Sequence, residues 1–209
     1  MHFFEIADTA FTVMGYPISY IELIGTVFGL ISVYFASRAN ILTWSTGIVN
    51  EAFLFILFFQ VRLYADMFLQ VYLFIVTIYG WYNWNTKTAD NRITVLSPKS
   101  RWLLAVVILA GSLLSGLLIK NIHLYVPAYF KVAAAYPFTD SFVMVLSIIA
   151  TVLLARKKIE NWHLWLLVDA ICVILYIKKA VYFLSLEYLI FLGLASYGLF
   201  QWKRQLSYD

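Results

Sequence analysis

Two acids stand where so apolar a chain has little reason to keep them. In the stretch WHLWLLVDAICVILYIKKAVYFLSLEYLIFLGLASYGLFQW, from Trp162 to Trp202, Asp169 lies near the middle of one apolar segment and Glu187 in the outer third of the next. A carboxylate at membrane depth is costly unless a partner or a wet cavity receives it, so its default meaning is a polar pathway between helices. Trp165 precedes Asp169 by one helical turn and shares its face. An indole beside an acid suits a flat cation, held by the ring quadrupole and by direct charge. Tyr176, two turns beyond Asp169, and Tyr188, next to Glu187, add polar rings to the same stretch. A second set lies nearer the N-terminus. In WSTGIVNEAF, helical spacing puts Trp44, Gly47 and Glu51 on one face with Asn50 beside them. Gln70 is an amide inside an apolar run and must find its partners within the protein. These groups offer recognition: stacking for a ring, amide and carboxylate partners for hydroxyls, and negative charge for a cation.

Each residue also has a plainer role. Glu51 can pair structurally with a neighbour, Trp165 can simply pack, and Glu187 can pair with Lys178 or Lys179. Catalysis finds no support. The only histidines are His2, His123 and His163, and the chain has no HExxH, no GxSxG and no phosphate-binding loop. Cys172 is the only cysteine and lies in an apolar helix, so neither a disulfide nor a zinc site is on offer. No metal and no cofactor are implied. A retinal-type photosensor would want a lysine inside the last helix, and that span has none before Lys203. No basic cluster exceeds three residues, so a nucleic-acid partner is not expected.

The elements that must position these groups are membrane helices. The 209 residues are 63% hydrophobic and 12% charged, with a mean hydropathy of +0.84, more apolar than a soluble fold of this size. A spanning helix needs about 20 mostly apolar residues. Seven fit: Tyr20 to Ser37, Ile41 to Gln60, Tyr64 to Trp84, Trp102 to Ile119, Phe138 to Ala155, Trp162 to Val181 and Tyr182 to Trp202. The expected fold is an all-α membrane protein. Its first 19 residues hold acids before any apolar run and read as an interfacial amphipathic helix, not a cleavable signal. Gly25 and Gly29 make a GxxxG pair for close helix packing. Trp81, Tyr82 and Trp84 read as an interfacial aromatic belt. The stretch from Lys120 to Pro137 reads as an irregular segment on the membrane surface. Counting Lys and Arg by side gives five with the N-terminus and ten with the C-terminus. That bias puts the C-terminus in the cytoplasm and the N-terminus in the periplasm.

The chain also repeats. Shifted by 118 positions, residues 20–85 align with residues 138–203 without a gap, and twelve of the 66 pairs are identical. Arg38 falls on Arg156, Trp44 on Trp162, Tyr64 on Tyr182, and Tyr79, Gly80 and Trp84 on Tyr197, Gly198 and Trp202. The acids follow, Glu22 on Asp140 and Glu51 on Asp169, while Gly47 falls on Trp165. Three helices repeated directly would arrive inverted, so the fourth helix, within residues 86–137, restores the direction. The organisation is 3+1+3, two parallel bundles related by an axis along the membrane normal, with a cytoplasmic tail at 204–209.

The strings WSTGIVN, LYADMFLQVYLFIVTIYGWYNW, DSFVMVLSIIATVLLARKKIENWHLWLLVD and YFLSLEYLIF closely resemble the PnuC family of bacterial nicotinamide riboside transporters, over nearly all of Ile21 to Trp202. The resemblance implies a SWEET-like fold and a homotrimer in the bacterial inner membrane. It implies facilitated diffusion of nicotinamide riboside, made one-way by a cytoplasmic nicotinamide riboside kinase. It also implies that Gln70, Trp165 and Asp169 contact the nucleoside, with Asn50 a further candidate. Asn is common in the family where this chain carries Asp169. An acid there favours a cationic pyridinium or marks a relative with another cationic vitamin as cargo. Thiamine and riboflavin are the nearest rival cargoes, and a seven-helix receptor is the rival from another class.

Overall fold

The computed structural model describes residues 9–13, 15–60, 64–86, 92–127, 133–178 and 182–208, with the side chains of residues 64–66, 68, 183, 207 and 208 left out. Its helices are α1 (Tyr20–Ser37), α2 (Leu42–Gln60), α3 (Tyr64–Asn85), α4 (Pro98–Tyr125), α5 (Pro137–Ala155), α6 (Glu160–Lys178) and α7 (Tyr182–Tyr208). Six are long and apolar enough to cross a membrane. The seventh, α3, is as long, but Asp66, Gln70 and its Trp, Tyr and Asn-rich end lower its hydropathy. Local chemistry explains several starts. Ser19 accepts a hydrogen bond from the Glu22 amide at the head of α1, Ser97 does the same for Ser100 at α4, and Pro98 and Pro137 open α4 and α5.

Helix packing follows one circuit. α1 packs on α2, α2 on α3, α3 on α5, α5 on α6, α6 on α7, and α7 returns to α1. α4 lies outside this ring against α5. The two contacts that join the triplets, α1 with α7 and α5 with α3, are equivalent under the 118-residue shift.

The shift reappears in finer geometry. α1 and α5 both end in a turn where the residue after the C-cap is left-handed without being glycine, Ala39 at φ 51° and Lys157 at φ 50°. Asn40 N–H bonds Phe35 C=O and Lys158 N–H bonds Leu153 C=O, both at 2.9 Å, the wider bond of a Schellman cap. Trp44 meets Trp84 edge-on at 5.1 Å and 89°, and their counterparts Trp162 and Trp202 meet at 5.6 Å and 87°. Gly80 and Gly198 leave room for the indoles of Trp44 and Trp162, for a Cβ on either glycine would overlap the ring. Trp84 and Trp202 then pack on each other at 6.3 Å, closing a core of four tryptophans at the C-terminal end of the bundle.

Four expectations change. Residues 9–19 form no helix: strands β1 (Thr9–Val13) and β2 (Tyr16–Ser19) pair antiparallel across a turn at Gly15, φ 84°. β-branched residues in TAFTV, and Pro17, favour extended backbone. Residues 1–8 lie outside the described set. Trp84 is no belt residue but is buried, whereas Trp81 and Tyr82 are exposed. α4 runs on through Lys120 to Tyr125, so the surface segment is shorter than expected, and Tyr129 and Phe130 in it fall outside the described residues. α7 continues as helix to Tyr208, so residues 204–208 are no separate tail.

Candidate substrate-binding site

Asp169 on α6 is 3% exposed, and among the described residues no hydrogen bond or ion pair reaches its carboxyl. Its counterpart Glu51 on α2 is nearly as buried at 7% but is held: the Thr77 hydroxyl on α3 donates to Oε1 at 2.5 Å. The position equivalent to Thr77 on α7 is Ala195, which has no hydroxyl to offer. The repeat thus supplies a partner to one acid and withholds it from the other. A buried charge needs a compensating group, and at Asp169 no described protein group supplies one.

Around Asp169 the second triplet gathers aromatic groups. Trp165, half-buried, packs against both the tryptophan core and the cluster of Ile108, Leu146, Val168 and Cys172. Tyr176 stacks on Tyr188 at 5.4 Å and 14°, and Tyr188 also meets Phe191 edge-on at 6.2 Å. The Tyr188 hydroxyl is within electrostatic reach of Asp169, Glu187 and Tyr176. Glu187 faces the Thr26 hydroxyl of α1, in the opposite triplet, and among the described residues makes no ion pair with Lys178.

The first triplet contributes amides. Gln70 on α3 is buried, its Oε1 unpartnered among the described residues, and it stands at the position equivalent to Tyr188. Asn50 is partly spent on structure, since its Nδ2 donates to the Gly25 carbonyl at 2.8 Å and abuts Gly29, tying α2 to α1. Trp44 stands in the tryptophan core, its ring against Gly80 and Trp84 and its Nε1 unpartnered among the described residues. Trp165, Asp169, Tyr176, Glu187 and Tyr188 are therefore brought into one neighbourhood of α6 and α7, while Glu51 and Gln70 occupy the equivalent ground on α2 and α3.

Sequence reasoning passed over Thr77. Its signal was available in the repeat, where a hydroxyl falls opposite an alanine beside a pair of aligned acids. Among the described residues no group of three or more metal-ligating side chains occurs.

The sequence profile of the family described as nicotinamide mononucleotide transporter matches residues 19–204. The nicotinamide riboside transporter PnuC of Escherichia coli K12 is 35% identical over 90% of this chain and 87% of its own. The riboflavin/roseoflavin transporter RibM of Streptomyces davaonensis is 28% identical over 92% and 89%. A crystal structure of the vitamin B3 transporter PnuC superposes with a TM-score of 0.67 at 20% identity, covering 90% of this chain and 83% of that one, and so shares the fold. With a profile match across almost its whole length and a relative of that identity, this chain belongs to the nicotinamide mononucleotide transporter family of multi-pass membrane transporters.

Proposed function

We propose that this chain imports nicotinamide riboside across the bacterial inner membrane, binding it between Trp165, Asp169, Tyr188 and Gln70 within the helix ring. The observation that carries this reading is Asp169, a buried acid without a partner among the described residues, one turn from a half-buried indole. Nicotinamide riboside is a permanent cation with a flat ring and a ribose. Its pyridinium supplies the charge that Asp169 lacks, Trp165 a stacking face, and Gln70 with Asn50 amide partners for hydroxyls. Glu51 would line the same passage, and Glu187 its outer entrance.

The mechanism is uniport. The triplets 20–85 and 138–203 rock about a mid-membrane site that opens alternately to each side. The sequence has no phosphate-binding loop, and net import comes from a cytoplasmic nicotinamide riboside kinase that traps the cargo by phosphorylation. The lysine and arginine bias supports a cytoplasmic C-terminus and a periplasmic N-terminus. The long apolar face of α4, outside the ring, supports assembly as a homotrimer or burial in the lipid bilayer.

A second reading keeps the fold and changes the cargo. The similarity to RibM favours riboflavin, a flat but neutral vitamin, for which Asp169 has no charge to match. Calorimetric titration of the purified protein with nicotinamide riboside, nicotinamide, thiamine and riboflavin decides between them. The expected result is tight binding of the riboside alone, and tighter binding of riboflavin would overturn the assignment.

A further inference from the structure

Contacts between the two triplets concentrate at the C-terminal end of the bundle. Trp84 Nε1 on α3 donates to the Ala155 carbonyl at the end of α5, and Trp202 Nε1 on α7 donates to the Ala36 carbonyl in the last turn of α1, both at 3.1 Å. Asn83 Nδ2 donates to the same Ala155 oxygen at 2.8 Å. The Lys157 ammonium sits 4.5 Å over the Trp84 ring, and burial holds its pKa below the usual lysine range. Arg38 at the end of α1 faces the Tyr197 hydroxyl of α7. The Trp84 and Trp202 rings touch at the centre. Toward the other end Thr26 of α1 faces Glu187 of α7.

The accepting carbonyls belong to the last turns of α1 and α5, where helical carbonyls lose their partners. The Ala155 carbonyl is completed by the other triplet, through Trp84 and Asn83, whereas the Ala36 carbonyl also accepts the Ala39 N–H of its own turn at 2.9 Å, so Trp202 adds a second donor there. The donors are buried indoles, so parting them requires that water reach both the N–H groups and the carbonyls. A seam with that requirement is shut or open, with little between, and its Trp162 stands two helical turns from Asp169 on α6, toward the C-terminal end.

We propose that Trp84 and Trp202, crossed onto Ala155 and Ala36, form a two-fold latch that closes the transport pathway at the C-terminal end in this structure and must part for cargo to pass there. This rests on the rocking mechanism of the proposed function. The alternative is a permanent pivot, about which the triplets turn without separating.

The two are told apart by tying the seam. In full-length protein carrying Cys172→Ala, Asn83→Cys and Arg156→Cys are bridged with a short bifunctional methanethiosulfonate, and uptake is followed in proteoliposomes. A latch predicts that bridging cuts uptake about tenfold or more, as expected when a gating motion is blocked. Reductant restores uptake, and cargo binding to the bridged protein is unchanged. Bridged protein that transports at the unbridged rate overturns the latch. A second arm uses Trp84→Phe with Trp202→Phe, which keep rings but lose both N–H donors. Labelling of Asn83→Cys by a membrane-impermeant thiol reagent should then become several-fold faster, and an unchanged rate counts against the latch. The cargo measured is whichever vitamin the unbridged protein carries, so a failure of the nicotinamide riboside assignment is seen separately, in the unbridged control.

Discussion

Asp169 and Glu51 occupy equivalent places and face opposite circumstances, one without a donor among the described residues and the other bound by Thr77. That difference assigns them separate work. Asp169→Asn keeps the shape and removes the charge, so it should weaken binding of the cationic nucleoside by about tenfold, about 1.4 kcal/mol. Binding of the uncharged, reduced form of the same nucleoside should barely change, and titrating both forms against the variant measures the difference. Trp165→Ala should cost about 1–3 kcal/mol of affinity, the scale of a base stacked on an aromatic side chain. Unchanged calorimetric affinity would remove Trp165 from the site. Both residues were legible in the sequence because an acid and an indole one turn apart are conspicuous in an apolar helix. Thr77 was not, since a threonine in a membrane helix ordinarily bonds its own backbone. Trp84 was misjudged because aromatic residues near a helix end belong by habit to the interface, and only its depth against Trp202 and Ala155 distinguishes it.

At the scale of elements, the two glycine–tryptophan seats give a sharp test. A Cβ on Gly80 or Gly198 would overlap the ring of Trp44 or Trp162. Gly80→Ala and Gly198→Ala should each destabilise by about 1–3 kcal/mol through overpacking, read as a lower melting temperature in detergent. The opposite change is available at the end of α1. Ala39 holds φ 51° in a Schellman cap, so Ala39→Gly should raise the melting temperature slightly, by relieving about 1 kcal/mol of left-handed strain. The start of α1 was legible because Ser19 caps it, and the end of α5 because the apolar run stops at Arg156. The last turn of α4 was not, because Lys120, Asn121 and His123 break the apolar run without breaking the helix. The N-terminal hairpin escaped because a pattern of scattered apolar residues suits either an amphipathic helix or a short strand pair, and Gly15 and Pro17 decide it.

At the scale of the whole molecule, a rocking uniporter has no step that consumes an ion gradient. Uptake into proteoliposomes should therefore proceed to equilibrium, at the same rate, with proton and sodium gradients dissipated. Loss of equilibration on adding an ionophore would replace uniport with coupled transport. The repeat was visible in the sequence because it preserves tryptophans and glycines, whose packing cannot drift independently. Closure of the ring through α1 with α7 and α3 with α5 was not visible. Apart from the Trp84, Asn83 and Trp202 donors, whose backbone acceptors carry no sequence signal, those seams join apolar surfaces that look alike on every helix of the chain.

The frame is nearly two-fold, yet its inward chemistry is not. Gly47 stands opposite Trp165, Gln70 opposite Tyr188, and Thr77 opposite Ala195. On the proposed reading, a nucleoside turned end for end would meet Ser32 and Thr77 around Gly47 where it needs a plate, and an acid engaged by Thr77 where it needs a free one. If the proposed site is right, handedness of cargo placement follows from the mismatches between the copies, and restoring symmetry at these three pairs should produce a carrier unable to tell one orientation of its passenger from the other.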